Sequence, residues 1–81
     1  MQSTQVSLLR VAGVKQVMRA LKADRLARVY LAKDAAPSLL AELAEEAKRR
    51  AVPVEWLPSM SELARRFHVE VPSAAAGEIR N

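Results

Sequence analysis

The stretch GVKQVMR, residues 13–19, holds the side chains best suited to recognition chemistry in this chain. Lys15, Gln16 and Arg19 are interleaved with Val14, Val17 and Met18, and Gly13, one of only two glycines, precedes them. Lysine and arginine only donate hydrogen bonds, whereas glutamine donates and accepts. Val14, Val17, Met18 and Leu21 follow the i, i+3, i+4, i+7 spacing of a buried helix face, so Lys15, Gln16, Arg19 and Lys22 fall on the opposite side. Fixed cations beside an amide form a surface that can hold an anionic or polar partner.

Catalytic chemistry is poorly provided for. His68 is the single histidine and the chain has no cysteine, so no thiolate–imidazole pair, disulfide or thiolate metal site can form. His68 reads as a partly exposed structural residue rather than a general base. Asp34 follows a strand-like stretch and precedes a helix, a position used by active sites but also by helix caps; it reads as a cap. No glycine-rich phosphate loop, metal-spaced cluster or nucleophile motif is visible. The expectation is a protein that is not an enzyme and needs no metal or cofactor. Trp56, Tyr30 and Phe67 are the only aromatics and make no stacking row of the kind single-strand RNA readers use, so all three are expected to be core or semi-buried.

The charge distribution points toward a polyanion. Residues 1–33 carry seven bases against the one acid Asp24, a local balance of +6, while residues 34–81 carry six bases against eight acids, or −2. A field concentrated in one part of a small protein suits nucleic acid, the alternative being an ordinary solvated basic surface. At 81 residues, 1–81 forms one domain, which buries roughly 60–65% of its unfolded surface in a thin core. No stretch is long or apolar enough to span a bilayer, and the N-terminal residues lack the features of a signal peptide, so a cytoplasmic protein is expected.

These residues need elements to position them. Residues 4–11 are expected to form a short helix with Val6 and Leu9 inward and Arg10 at its edge. Gly13 then supplies a bend before the helix of residues 14–23. RVYLAK, residues 28–33, reads as a buried strand. Pro37 suits the first turn of a helix reaching about Arg50, with Leu40, Leu43, Ala44 and Ala47 as its core stripe. Glu45–Arg49 and Glu46–Arg50 are i, i+4 pairs that describe a solvated face. VPVEWL, residues 52–57, reads as a strand, with Pro53 putting it at an edge or starting the ladder after it. Ser59 and Glu62 form a capping box for a helix through about Phe67, and a last strand follows the loop after His68. The order α, α, β, α, β, α, β implies a mixed, largely parallel sheet with helices on both faces.

GVKQVMRAL, LAKDAAPSLL and VPVEWLPSMSELARRFHVEVPSAAAG, in this order and at these spacings, resemble the ribosomal protein L-seven-Ae family with its L-thirty-e and S-twelve-e relatives, most of all short bacterial members. The resemblance covers nearly the whole chain. It implies a three-layer α-β-α sandwich with a central mixed sheet of about four short strands. It also implies binding of kink-turn RNA, a helix–bulge–helix element bent at tandem sheared G·A pairs. The archaeal pattern Gly-x-Asn-Glu-x-x-Lys finds Gly13, Lys15, Gln16 and Arg19 at its positions, and the Lys-Gln version looks like the bacterial subgroup.

On that resemblance, Gly13 lets the RNA backbone approach the helix N-terminus, whose free amides and positive dipole end suit phosphate. Lys15 reaches a guanine edge or a phosphate, Gln16 a base edge, and Arg19 a phosphate. The loop of Val69, Glu70, Val71, Pro72 and Ser73 aligns with the family's apolar contact on a flipped-out nucleotide, and Lys33 and Asp34 flank the same surface. The implied RNA-binding set is Gly13, Lys15, Gln16, Arg19, Lys33, Val71, Pro72 and Ser73. The implied partner is a kink-turn RNA, on the ribosome or in another structured RNA, with no membrane partner and a monomeric free protein. The alternative is a protein–protein scaffold of the same fold.

Overall fold

The computed structural model describes residues 10–70 and 72–80. Strand β1 (Arg10–Ala12) leads into helix α1 (Val14–Lys22), then β2 (Leu26–Ala32), α2 (Pro37–Arg49), β3 (Val54–Leu57), α3 (Met60–Phe67) and β4 (Ala75–Ile79). The strands form one sheet in the order β1-β4-β2-β3. Helices α1 and α2 pack on one face, where Val17, Leu21, Leu43 and Ala47 meet Val29, Leu31 and Ala75. Helix α3 covers the other, where Leu63 meets Tyr30, Ala32, Leu57 and Ala76. The fold is therefore the expected three-layer α-β-α sandwich around a four-stranded mixed sheet.

Two expectations about the backbone are corrected. Arg10 and Val11 do not continue a helix from residue 4: they lie in β1, with Arg10, Val11 and Ala12 opposite Glu78, Gly77 and Ala76 of β4. Three residues leave too little periodicity to read, and the strand exists because β4 is there to accept its ladder. Residues 4–9, including Val6 and Leu9, lie outside the described residues. The sheet is also not largely parallel. Among the described strands only β2 and β3 run parallel, whereas β4 is antiparallel to both β1 and β2. Helix α3 crosses the sheet from β3 toward β1, bringing Phe67 beneath the Arg10 guanidinium at 5.4 Å. The chain reappears at Pro72–Ala74 at the end where β2 finishes, so Ala75 pairs with Leu31 and β4 enters in reverse.

Local chemistry explains the remaining boundaries. The β3 ladder begins after Pro53, at the sheet edge, as its missing N–H requires. Ser59 Oγ accepts from the Glu62 N–H at 3.0 Å, closing the predicted cap of α3. Glycine is needed at Gly77, where an added Cβ would come within 2.9 Å of Leu26 Cδ1 and 3.3 Å of the Arg28 carbonyl. Tyr30 is buried and Phe67 half-buried, but Trp56 is 44% exposed on the edge strand, against expectation. Among the described residues no strand lies beyond β3 to cover it.

The solvated-face reading of α2 holds for Glu45, which is exposed, but not for Glu46. Glu46 is only 8% exposed; Arg50 Nε donates to its Oε2 at 2.8 Å, and Arg49 Nη1 lies 3.5 Å from its Oε1. Arg50 also reaches Asp24 Oδ1 at 3.2 Å, tying the end of α1 to the end of α2. Packing of α1 beside α2 turns this part of the helix inward, which periodicity within α2 alone does not reveal.

Candidate functional site

The first residues of α1 lie against the end of the sheet where β2 finishes. The Gly13 N–H donates to the Ala75 carbonyl at 2.9 Å, and the Gly13 carbonyl accepts the first helical bond from Val17 at 2.9 Å. Gly13 has φ 103° and ψ 143°, a conformation open essentially to glycine alone. The first turn of α1 has neither a side-chain cap nor an acidic residue, so its leading N–H groups point outward with the positive end of the dipole uncompensated. Helix α3 differs: Ser59 and Glu62 close its start, and Asp34 Oδ1 accepts from the Met60 N–H at 2.8 Å. Asp34 is thus a cap, as expected, but of a helix distant in sequence.

Two grooves flank the start of α1. One, of about 360 Å³, is mainly apolar and is lined by Gly13 and Val14 on one side and by Val69, Pro72, Ser73 and Ala74 on the other. The chain's N-terminal bend and its loop before β4 therefore meet in space. Ser73 Oγ donates to the Ala75 carbonyl at 3.0 Å, which helps hold the loop in its approach to the strand. The second groove, of about 190 Å³, has Gln16, Arg19 and Arg25 over a floor that includes Val11, Ala20 and Ile79. Its volume is small and its rim is donor-rich, which suits polar and anionic groups better than an apolar ligand.

The sequence-predicted residues thus divide. Gly13, Pro72 and Ser73 share the apolar groove; Gln16 and Arg19 share the cationic one. Gln16 joins the two, because its Cγ lies 3.8 Å from where a Gly13 Cβ would be. Lys15 is exposed on the outer face of α1. Lys33 lines neither groove. It is exposed on the turn after β2, its N–H donating to the Leu57 carbonyl at 2.9 Å, while the neighbouring Ala32 N–H bonds the Ala74 carbonyl at 3.0 Å. It therefore occupies the same end of the sheet without joining the site's walls. Val71 lies outside the described residues.

Sequence reasoning missed Arg25 as a wall residue. It lies beyond α1 and was visible only as one member of the basic segment, and the turn at Asp24 brings it beside Arg19. Arg10, expected at a helix edge, instead stacks over Phe67 and lines a third groove of about 260 Å³ with Ala12, His68 and Val69. His68 is exposed and ends α3 in the left-handed conformation, φ 58°, in keeping with a structural role.

Known proteins match this arrangement. A family described as RNA 2'-O ribose methyltransferase substrate binding matches residues 10–68, from β1 to the residue that ends α3. An RNA-binding protein of Geobacillus sp. (strain WCH70) is 40% identical over 70 residues, covering 86% of this chain and 85% of that protein. An RNA-binding protein of Caldanaerobacter subterraneus subsp. tengcongensis is 30% identical over 70 residues, covering the same shares of 86% and 85%. Among solved structures, the Giardia lamblia 15.5kD RNA binding protein has a TM-score of 0.83 at 21% identity, a likeness of fold that covers 91% of this chain and 62% of that one. With a match spanning three of the four described strands and all three described helices, the chain belongs to the RNA 2'-O ribose methyltransferase substrate-binding family.

Proposed function

We propose that this protein binds structured RNA at the end of the sheet where α1 begins, and that its target is a kink-turn, in ribosomal or another structured RNA. The observation that carries the reading is the meeting of two segments far apart in sequence. The uncapped start of α1 and the residues Val69, Pro72, Ser73 and Ala74 line one apolar groove, and Gln16 and Arg19 line the second groove beside the same helix. Outward N–H groups suit a phosphate, and Gly13 leaves room for its approach. A sharply bent RNA presents base edges and an unstacked nucleotide that a regular A-form duplex withholds from side chains. In this reading Gln16 addresses a base edge, Lys15 and Arg19 address phosphates or a guanine edge, Lys33 meets the backbone nearby, and Val71, Pro72 and Ser73 receive the unstacked nucleotide. The names of the RNA-binding relatives support RNA as the partner, and the L-seven-Ae resemblance of GVKQVMR supports the kink-turn.

The test is a gel shift with a kink-turn RNA beside a version whose sheared G·A pairs are replaced by Watson–Crick pairs. Preferential binding of the kink-turn is expected, with affinity falling steeply as salt rises. Equal binding to both RNAs would remove the kink-turn from the proposal, and absence of binding to either would favour the interaction-scaffold alternative.

A further inference from the structure

The described ion pairs divide the protein's cations into two populations. Arg28, Arg49, Arg50, Arg65 and Arg66 each have a carboxylate partner. Lys15, Arg19, Lys22 and Arg25 are all exposed, and among the described residues they, like Arg10, Lys33, Lys48 and Arg80, are in no ion pair; what sets these four apart is that they follow one another along α1 and its end. Helix α1 has no acid of its own. The one acid at its end, Asp24, is held by Arg50 at 3.2 Å, and Glu46 across the helix pair is bonded to the same arginine. Arg50 thus engages both carboxylates nearest the end of α1, while Lys22 still lies within electrostatic reach of Glu46 without bonding it.

Geometry turns these free cations into a track. Lys15, Arg19 and Lys22 recur at i, i+4 and i+7, so they form one stripe that runs about 10 Å along the helix axis. Arg25 extends it past the helix end and shares the wall of the narrow groove with Gln16 and Arg19. Its backbone is held at both polar groups, the N–H donating to the Ala20 carbonyl at 2.9 Å and the carbonyl accepting from the Arg80 N–H at 2.8 Å. A guanidinium on a fixed backbone, over an apolar floor and with no carboxylate bonded to it among the described residues, is arranged for an external anion.

We infer that the RNA site continues from the start of α1 to its far end, and that Lys22 and Arg25 grip the phosphate backbone of a stem flanking the kink. The inference rests on the RNA-binding reading above and adds a requirement on the partner: it must carry a duplex arm long enough to lie along α1. Phosphate contacts are indifferent to sequence, so this half of the site adds affinity and orientation rather than base discrimination.

The experiment measures affinity against salt for four RNAs: the kink-turn and its G·A-replaced control, each with a long stem and with a stem cut back to the pairs beside the kink. The proteins are the full wild-type chain, Lys22→Gln/Arg25→Gln, and Lys48→Gln/Arg65→Gln as a charge-matched control on α2 and α3, with circular dichroism confirming that each folds. The wild type is expected to bind long-stem RNAs about tenfold more tightly than short-stem ones at low salt. The Lys22/Arg25 variant should lose that advantage and show a salt slope shallower by about one to two units on long stems, with a smaller loss of affinity on short stems. Its preference for the kink-turn over the control should be unchanged. If stem length has no effect on the wild type, or if both double variants weaken every RNA alike, the track is refuted. If the wild type shows the stem effect but no preference for the kink-turn, the kink-turn reading fails while the track stands. Should it bind none of the four, both fall.

Discussion

At the residue scale, Gln16 and Arg19 line the same groove and yet are expected to behave differently. Gln16→Ala should narrow the preference for the kink-turn over its G·A-replaced control, by the ~1–3 kcal/mol that a good base contact contributes to discrimination. Arg19→Ala should weaken both RNAs similarly and make the salt slope shallower by about one unit. Competition gel shifts across a salt series read both quantities, and equal losses from Gln16→Ala, Arg19→Ala and Lys48→Ala would indicate only diffuse attraction. Glu46 offers a separate test at this scale. The Arg50 guanidinium bonded to it, aided by Arg49, holds its carboxyl below the usual glutamate range. A depressed native value means that its contribution is present above the unfolded-state value and is lost as the pH falls through the native one. Glu46→Gln should therefore flatten the acid limb of stability against pH, measured by urea melts across mildly to strongly acidic buffers.

Helix ends show what the elements require. All three described helices finish with the same pair of closing bonds and a left-handed residue that is not glycine: Asp24 at φ 58°, Ala51 at φ 57° and His68 at φ 58°. After α2, the Ala51 N–H donates to the Lys48 carbonyl at 3.0 Å and the Val52 N–H to the Ala47 carbonyl at 2.8 Å. That geometry favours glycine at the left-handed position, because a Cβ crowds the backbone there. Ala51 is exposed, so its methyl contributes little packing. Ala51→Gly should stabilise the protein by up to about 1 kcal/mol, and thermal or urea unfolding will read it. The start of α1 is the converse case. Gly13 already holds a conformation that other residues strain to adopt, and Gly13→Ala should destabilise by ~1–3 kcal/mol.

For the whole molecule, stability rests on a thin core shared by two helices on one face and one on the other. Leu43 is fully buried within the larger cluster, whereas Glu45, two residues on, is exposed. Leu43→Ala should cost about 2–5 kcal/mol, and Glu45→Ala under ~0.5 kcal/mol because it breaks no described ion pair. Urea melts that ranked the two in the opposite order would overturn the assigned face of α2.

What the sequence determined by itself was local. The apolar spacing of Val17 and Leu21 in α1 and of Leu43 and Ala47 in α2 marked the buried faces, Pro53 marked where a ladder could begin, and Ser59 with Glu62 marked a helix start. These depend on contacts within a few residues, which composition and period encode directly. The site was legible to the same extent: GVKQVMR displayed its polar face, and the first 33 residues their excess of cations. Tertiary structure alone decided the rest. It reversed β4, drew Arg10 and Val11 into a strand, set Asp34 on the start of α3, and placed the loop around Pro72 against Gly13. It also buried Glu46, let Arg50 take up Asp24, and brought Arg25 to Arg19. Each of these is a pairing between segments distant in the chain, settled by which backbone ladders and side-chain charges could be satisfied together, and no period within one segment carries that information.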